Sequence, residues 1–228
     1  MRQTVFFNGK KCLVYAEARP KLLLVQLLHQ KEQEFIDGEV EGIRKAVNVS
    51  FAFVAIVIED WHFELAPWAD PCVSCCKEAG EGAVKTLNFI TENLVPCLYN
   101  IFGRLPIVLG GYSLGGLFAL WAASKVSCFD AVAAASPSVW LNGWMRHTES
   151  HPVNVKDVYL SLGDQEEHVR NRFFKKVGVN IRSEYELLKV RLGSCHCTLE
   201  WHRGGHFVDA DTRTARAFAW CVNQMASE

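Results

Sequence analysis

Two apolar runs, Leu22 to Leu28, broken only by Gln26, and Phe51 to Ile58, constrain this chain more than any other feature. A strand with one wet face alternates apolar and polar residues. A strand that is apolar at nearly every position is covered on both faces. Both runs are far shorter than the roughly 20 residues a membrane span needs, so they read as buried strands. Between them, Ile36, Val40, Ile43 and Val47 recur at helical spacing within Glu34 to Val47.

The alternation continues to the C-terminus. A helix is expected from about Gly82 to Leu94, kinked or ended by Pro96, because a proline inside a helix lacks the N–H and clashes with the preceding turn. Strands follow at Pro106 to Leu109, Ala131 to Ala135, Asp157 to Leu162 and Thr198 to His202. Helices are expected at Leu114 to Lys125 and Thr212 to Gln224, and Glu184 to Leu192 is expected to lie in a helix. At the front, Thr4 to Phe7 and Cys12 to Tyr15 flank Asn8-Gly9, a pair suited to a two-residue hairpin turn with positive φ. An N-terminal β-hairpin followed by repeated β-α units predicts an α/β fold: a mostly parallel central sheet with helices on both faces. With no repeat or linker, residues 1–228 are expected to form one domain.

Composition narrows the function. A formal net charge of -1, with both signs spread along the chain, gives no basic footprint for nucleic acid or an anionic membrane. The N-terminal residues lack a basic-then-apolar signal pattern, so a cytoplasmic location is expected. Of the nine cysteines, Cys72, Cys75 and Cys76 form one cluster and Cys195 with Cys197 another. Free thiols are expected there rather than a zinc site, since the second pair is spaced C-x-C; no metal or cofactor is expected.

The chemistry centres on Gly111-Tyr112-Ser113-Leu114-Gly115. Placed between a buried strand and an apolar helix, a G-x-S-x-G turn is a nucleophile elbow, with Ser113 at its tip. A serine hydroxyl needs a base. His206, in Arg203-Gly204-Gly205-His206-Phe207 after the last strand, is the leading candidate, ahead of His202 and His196. The orienting acid should follow a late strand. Asp164, just past Tyr159 to Gly163, is preferred and Glu167 is the alternative, with Glu166 in the same loop; a histidine held by a backbone carbonyl is the third option. The oxyanion hole should use the N–H of Leu114 and a second N–H around Leu28. Trp61, Trp68 and Trp140, with Trp144 nearby, fall in loops past strand ends, where ligands of such sheets bind, and are expected to wall an apolar substrate pocket. The short segment from Trp140 to Lys156 leaves little room for a lid.

Residues 111 to 120, Gly-Tyr-Ser-Leu-Gly-Gly-Leu-Phe-Ala-Leu, and Ser136-Pro137-Ser138-Val139-Trp140 resemble the putative-esterase family, which includes enterochelin (ferric siderophore) esterases and esterase D. The Ser161-Leu162-Gly163-Asp164-Gln165-Glu166-Glu167 loop and Gly204-Gly205-His206-Phe207 are similar to that group as well, and the likeness spans roughly residues 20 to 225. The resemblance implies an α/β-hydrolase fold and hydrolysis of small-molecule carboxylic esters, with Ser113 as nucleophile and His206 as base. The acid varies between Asp and Glu in such proteins. The chain is much shorter than the siderophore esterases, so siderophore specificity is not carried over. Two other readings stand beside a serine carboxylesterase acting on small or medium acyl groups. One is an acyltransferase or peptidase using the same triad, and the other is a non-catalytic homologue that only binds. The sequence leaves the oligomeric state open.

Overall fold

The computed structural model describes residues 2–70 and 80–227. The cluster Cys72, Cys75 and Cys76 lies outside the described residues. The apolar runs become the centre of an eight-stranded sheet. Its strands are β1 (Gln3–Phe7), β2 (Lys10–Ala16), β3 (Leu22–His29), β4 (Phe51–Ile58), β5 (Ile107–Tyr112), β6 (Ala131–Ala135), β7 (Asp157–Gly163) and β8 (Cys197–His202). They are ordered β1-β2-β4-β3-β5-β6-β7-β8. The hairpin β1–β2 pairs antiparallel onto β4, and every later pairing is parallel. Asn8 at φ 46° and Gly9 at φ 81° supply the two positive φ values that a tight hairpin turn of this hand requires.

Eight helices complete the described chain: α1 (Ile36–Ala46), α2 (Trp61–Leu65), α3 (Glu81–Asn88), α4 (Val95–Phe102), α5 (Leu114–Lys125), α6 (Trp144–Ser150), α7 (Val177–Leu192) and α8 (Ala210–Ala226). The period of two along each central strand divides its side chains between two cores. Leu23, Val25 and Leu27 of β3 join Val54 and Ile56 of β4 in the core under α3, α4 and α5. Leu22, Leu24 and Leu28 join Phe51, Phe53 and Val57 under α1 and α8, where Ile36, Val40, Ile43 and Phe218 close the layer. Helix α5 is buried from Leu114 through Ala123, which explains its all-apolar sequence and roots the elbow in the core. No helix among the described residues is long and apolar enough to cross a membrane.

The structure decides between the alternatives at Pro96 and extends one helix. Pro96 does not end its helix: α3 widens into a π-helical stretch, Phe89–Leu94, and then runs on as α4 to Phe102. Widening the backbone just ahead of Pro96 relieves the clash of its ring with the preceding turn. Glu184 to Leu192 lies in helix α7, as expected; the helix begins seven residues earlier, at Val177, in a stretch whose glycine and β-branched residues are weak helix formers. Tertiary packing supplies what propensity lacks, since Val177, Gly178, Ile181, Glu184 and Leu188 form its buried face.

Glu184 ties α7 to α6. It is fully buried, accepts from Trp144 Nε1 and Thr148 Oγ1 at 2.9 Å each, and burial pushes its pKa up to about 7. The unfolded chain ionises this carboxyl at an ordinary pH while the folded chain keeps it protonated. Stability should therefore fall as pH rises from about 4.5 to 7, by about 3 kcal/mol in all. Glu184→Gln keeps one acceptor oxygen, for Trp144 Nε1, meets the Thr148 hydroxyl with its amide N–H instead, and removes that slope. Urea unfolding at pH 5 and pH 8 should show a smaller difference for the variant than for the parent.

Candidate active site

Ser113 caps α5 at φ 55°, ψ −119°, a backbone conformation that costs a non-glycine residue about 1–3 kcal/mol. Its surroundings hold it there. The Ser113 N–H donates to the Ala135 carbonyl at 3.0 Å, and its carbonyl accepts from Leu117 and Ser138 N–H at 3.1 Å each. The turn is tight at Gly111, where a Cβ would lie 3.1 Å from both the Gly115 backbone and the Leu27 carbonyl and would require both to give way. The hydroxyl thus stands at the carboxyl end of the sheet, above the first N–H groups of α5, where the helix dipole favours negative charge.

His206 sits in the loop between β8 and α8. Its Nε2 is 2.9 Å from Ser113 Oγ, and its Nδ1 is 2.6 Å from Glu166 Oε2. The loop is fastened by Tyr112, whose hydroxyl donates to the His206 carbonyl at 2.6 Å and whose ring packs 5.2 Å from the imidazole. The preferred base of the sequence reading therefore faces the preferred nucleophile, while His202 and His196 point elsewhere: His202 neighbours Tyr159 and His196 pairs with Asp157.

The acid is where sequence and structure part. Asp164 is exposed and accepts the Gly204 N–H at 2.8 Å, a hydrogen bond that holds its pKa below the ordinary value. Asp164 N–H and Gln165 N–H bond the carbonyls of His202 and Gly204, so the first residues past β7 still run alongside β8 and Asp164 looks outward. Glu167, the alternative, is paired with Arg182 at 2.6 Å and packs against Gly178, where any Cβ would collide with its carboxylate. The carboxylate that reaches His206 belongs to Glu166, the residue between them, turned inward by a short 3₁₀ turn, Glu166–His168. Burial would raise the Glu166 pKa. His206, the Gly163 N–H at 2.8 Å and the Ser136 hydroxyl at 2.9 Å outweigh it and hold the carboxyl below its ordinary value.

Arg213, on the buried face of α8, was not singled out from the sequence. It is 1% exposed. One guanidinium nitrogen donates to Glu166 Oε1 at 3.0 Å and to the Tyr112 hydroxyl at 3.2 Å; the other donates to the carbonyls of Arg203 and Gly205 at 3.2 and 3.1 Å. A single cation thus holds the carboxylate and the loop carrying His206 in one register. The available signal was an arginine set among small and apolar residues on the inner stripe of the last helix, at helical spacing from Ala217 and Cys221. Arg213→Met leaves Glu166 buried without its cation, and the expected cost is about 3–5 kcal/mol of stability, measurable by denaturant unfolding.

A cavity of about 550 Å³ opens over Ser113 and His206. Trp61 and Trp140 line it; Trp140 stands edge-on to Phe174 with ring centroids 4.6 Å apart, and Trp61 stands edge-on to His29. Trp68 does not line it. Its Nε1 donates to the Asn142 carbonyl at 2.7 Å and its ring stacks on Trp144, so it braces the loop after β6. Leu28 lies inside β3, in register with Val57 and buried; the part of that segment reaching the cavity is His29 and the turn after it, including Lys31 and Glu32. Leu114, whose N–H is the expected oxyanion donor, is the first residue of α5 behind the serine. Cys195 and Cys197 are free thiols, and no metal-holding group of side chains occurs among the described residues.

The family model described as "Putative esterase" matches residues 43–196, more than half of the chain. A siderophore enterobactin esterase of Emericella nidulans is 39% identical over 114 residues, which cover 42% of this chain and 36% of that relative. Among solved structures, the siderophore hydrolase EstA from Aspergillus nidulans superposes with a TM-score of 0.73 at 20% identity, covering 98% of this chain and 94% of that one, so the expected difference in length does not hold for this relative. An IroE-like serine hydrolase from Shewanella oneidensis gives 0.76 at 13% identity, covering 98% and 80%. The fold is the α/β-hydrolase fold.

Proposed function

The chain belongs to the putative-esterase family, and from that premise we propose that it is a serine carboxylesterase working through Ser113, His206 and Glu166. The observation that carries this reading is the imidazole set between the Ser113 hydroxyl at 2.9 Å and the Glu166 carboxylate at 2.6 Å. Glu166 fixes the tautomer with hydrogen on Nδ1, leaving Nε2 to take the serine proton. Ser113 Oγ attacks the ester carbonyl, and the oxyanion forms against the Leu114 N–H and a donor from the turn after β3. The imidazolium returns the proton to the departing alcohol. Water, activated by the same imidazole, then releases the acid from the acyl-enzyme.

The cavity supports a small-molecule ester with an apolar or aromatic acyl group of small or medium size, held between Trp61 on one side and Trp140 with Phe174 on the other. A fluorophosphonate probe, with peptide mapping of the adduct, tests the nucleophile, and a chain-length panel of p-nitrophenyl esters tests the substrate. Stoichiometric labelling at Ser113 with turnover of the panel is expected. No adduct and no turnover would leave a protein that only binds.

A further inference from the structure

We infer that Ser138 is a further catalytic residue, whose hydroxyl donates a hydrogen bond to Ser113 Oγ and stabilises the charge that develops there. This rests on Ser113 being the nucleophile. Ser138 Oγ lies 3.2 Å from Ser113 Oγ, and distance alone leaves the donor open. An inventory of protons decides it. The Glu166 carboxylate, an acceptor only, faces Nδ1 of His206, so the neutral imidazole carries its hydrogen there and Nε2 is an acceptor. The Ser113 hydroxyl, 2.9 Å from Nε2, spends its one hydrogen on that nitrogen. Toward Ser138 it has only a lone pair to offer, so Ser138 is the donor. Among the described residues, the Ser138 hydroxyl has no other hydrogen-bond partner.

The position suits the role. Ser138 is 2% exposed and stands behind the nucleophile, outside the cavity lining, so substrate does not displace it. Its N–H donates to the Ser113 carbonyl at 3.1 Å, and its own carbonyl accepts from Leu141 N–H at 3.1 Å, so its backbone is tied to the elbow. Ser136, two residues earlier in the same segment, donates to Glu166 at 2.9 Å. One short strap thus touches both ends of the triad.

The energetics follow the charge. In the resting enzyme the bond joins two neutral hydroxyls. As His206 takes the proton, negative charge grows on Ser113 Oγ and the bond becomes charge-assisted. Once Oγ is an ester oxygen it is a weaker acceptor. When it departs as alkoxide during deacylation the bond strengthens again. An interaction stronger in both transition states than in the states between them raises kcat rather than lowering KM.

The test compares Ser138→Ala with the parent in ester turnover, fluorophosphonate labelling rate and pH–rate profile. Expected are a kcat and a labelling rate both lower by roughly 10- to 100-fold, with KM unchanged. The acid limb of the profile should stay where the parent has it, because the His206–Glu166 contact is intact. Ser138→Thr, which keeps the hydroxyl, should recover most of the rate. If the alanine variant gives no folded protein, Ser138→Cys, nearly isosteric and a weak donor, carries the same readouts. A variant with normal thermal unfolding that turns over and labels at the parent rate overturns the proposal. So does a slow variant whose acid limb has moved, since that marks a displaced imidazole. Failure of the nucleophile assignment itself is distinguishable: Ser113→Ala would then still turn over ester.

Discussion

Ser113→Ala should lower kcat for p-nitrophenyl ester hydrolysis by about a million-fold, with KM close to the parent value. The size of the loss reflects how the site is built. Among the described residues both ring nitrogens of His206 are already committed, Nε2 to Ser113 at 2.9 Å and Nδ1 to Glu166 at 2.6 Å. Without Oγ the remaining machinery can only orient substrate and stabilise an oxyanion formed by free water, which leaves a residual acceleration of about 10³–10⁴ over solution. Binding persists because Trp61, Trp140 and Phe174, which line the cavity, are untouched. A companion variant separates function from strain. Ser113→Gly is equally inactive, yet glycine adopts φ 55° without the penalty serine bears there. The glycine variant should therefore unfold at higher denaturant than the alanine variant, by about 1 kcal/mol. If both variants keep ester turnover, the nucleophile lies elsewhere. If alanine and glycine unfold alike, the elbow is not strained.

The elbow was legible because its chemistry is local. A strand, a glycine-flanked serine and an apolar helix lie within residues 107 to 125, and the turn they need is written in contiguous letters. His206 was legible for a similar reason, since only one histidine follows the last strand closely and precedes the final helix. The carboxylate is different. Asp164, Glu166 and Glu167 occupy one short loop, and which of them faces inward depends on how far that loop keeps pairing with its neighbour. The bonds from Asp164 and Gln165 to His202 and Gly204 extend the pairing two residues past β7, and only then does the chain turn in. No local propensity encodes that extension; it depends on partners in the loop after β8, 40 residues away. Trp68 and Arg213 were misjudged or missed on the same ground. Trp68 sits in a loop of the right address, but its indole N–H is claimed by the Asn142 carbonyl. Arg213 sits on a helix face that reads as core, and its role appears only when Glu166 and the 203–205 carbonyls arrive around it.

Glu166→Gln should lower kcat by on the order of 10⁴, whereas Asp164→Asn and Glu167→Gln should each stay within about threefold of the parent. The amide keeps the shape of the carboxylate but not its acceptor-only character. It can offer N–H to Nδ1, which favours hydrogen on Nε2, and an Nε2–H cannot accept the Ser113 proton. The same change leaves Arg213 buried with no counter-charge, so a loss of about 3–5 kcal/mol in stability should accompany the loss of rate. The double variant Glu166→Gln/Arg213→Met removes both charges and should be more stable than either single variant, a coupling that unfolding curves report directly. The pH dependence has a definite sign. The folded protein holds the Glu166 carboxyl below its ordinary value, so the stabilisation is present above about pH 4.5 and fades as pH falls through the lower, folded value. The stability gap between parent and Glu166→Gln should therefore narrow on acidification below that point. Asp164 is fully exposed, with its carboxylate on the Gly204 N–H, so its removal trims the β7–β8 loops without reaching the imidazole. A 10⁴-fold loss in Asp164→Asn with a near-normal Glu166→Gln would reverse the assignment of the acid. Comparable small losses in all three would mean that His206 is oriented by the backbone of its own loop, through Tyr112 and Arg213, rather than by a carboxylate.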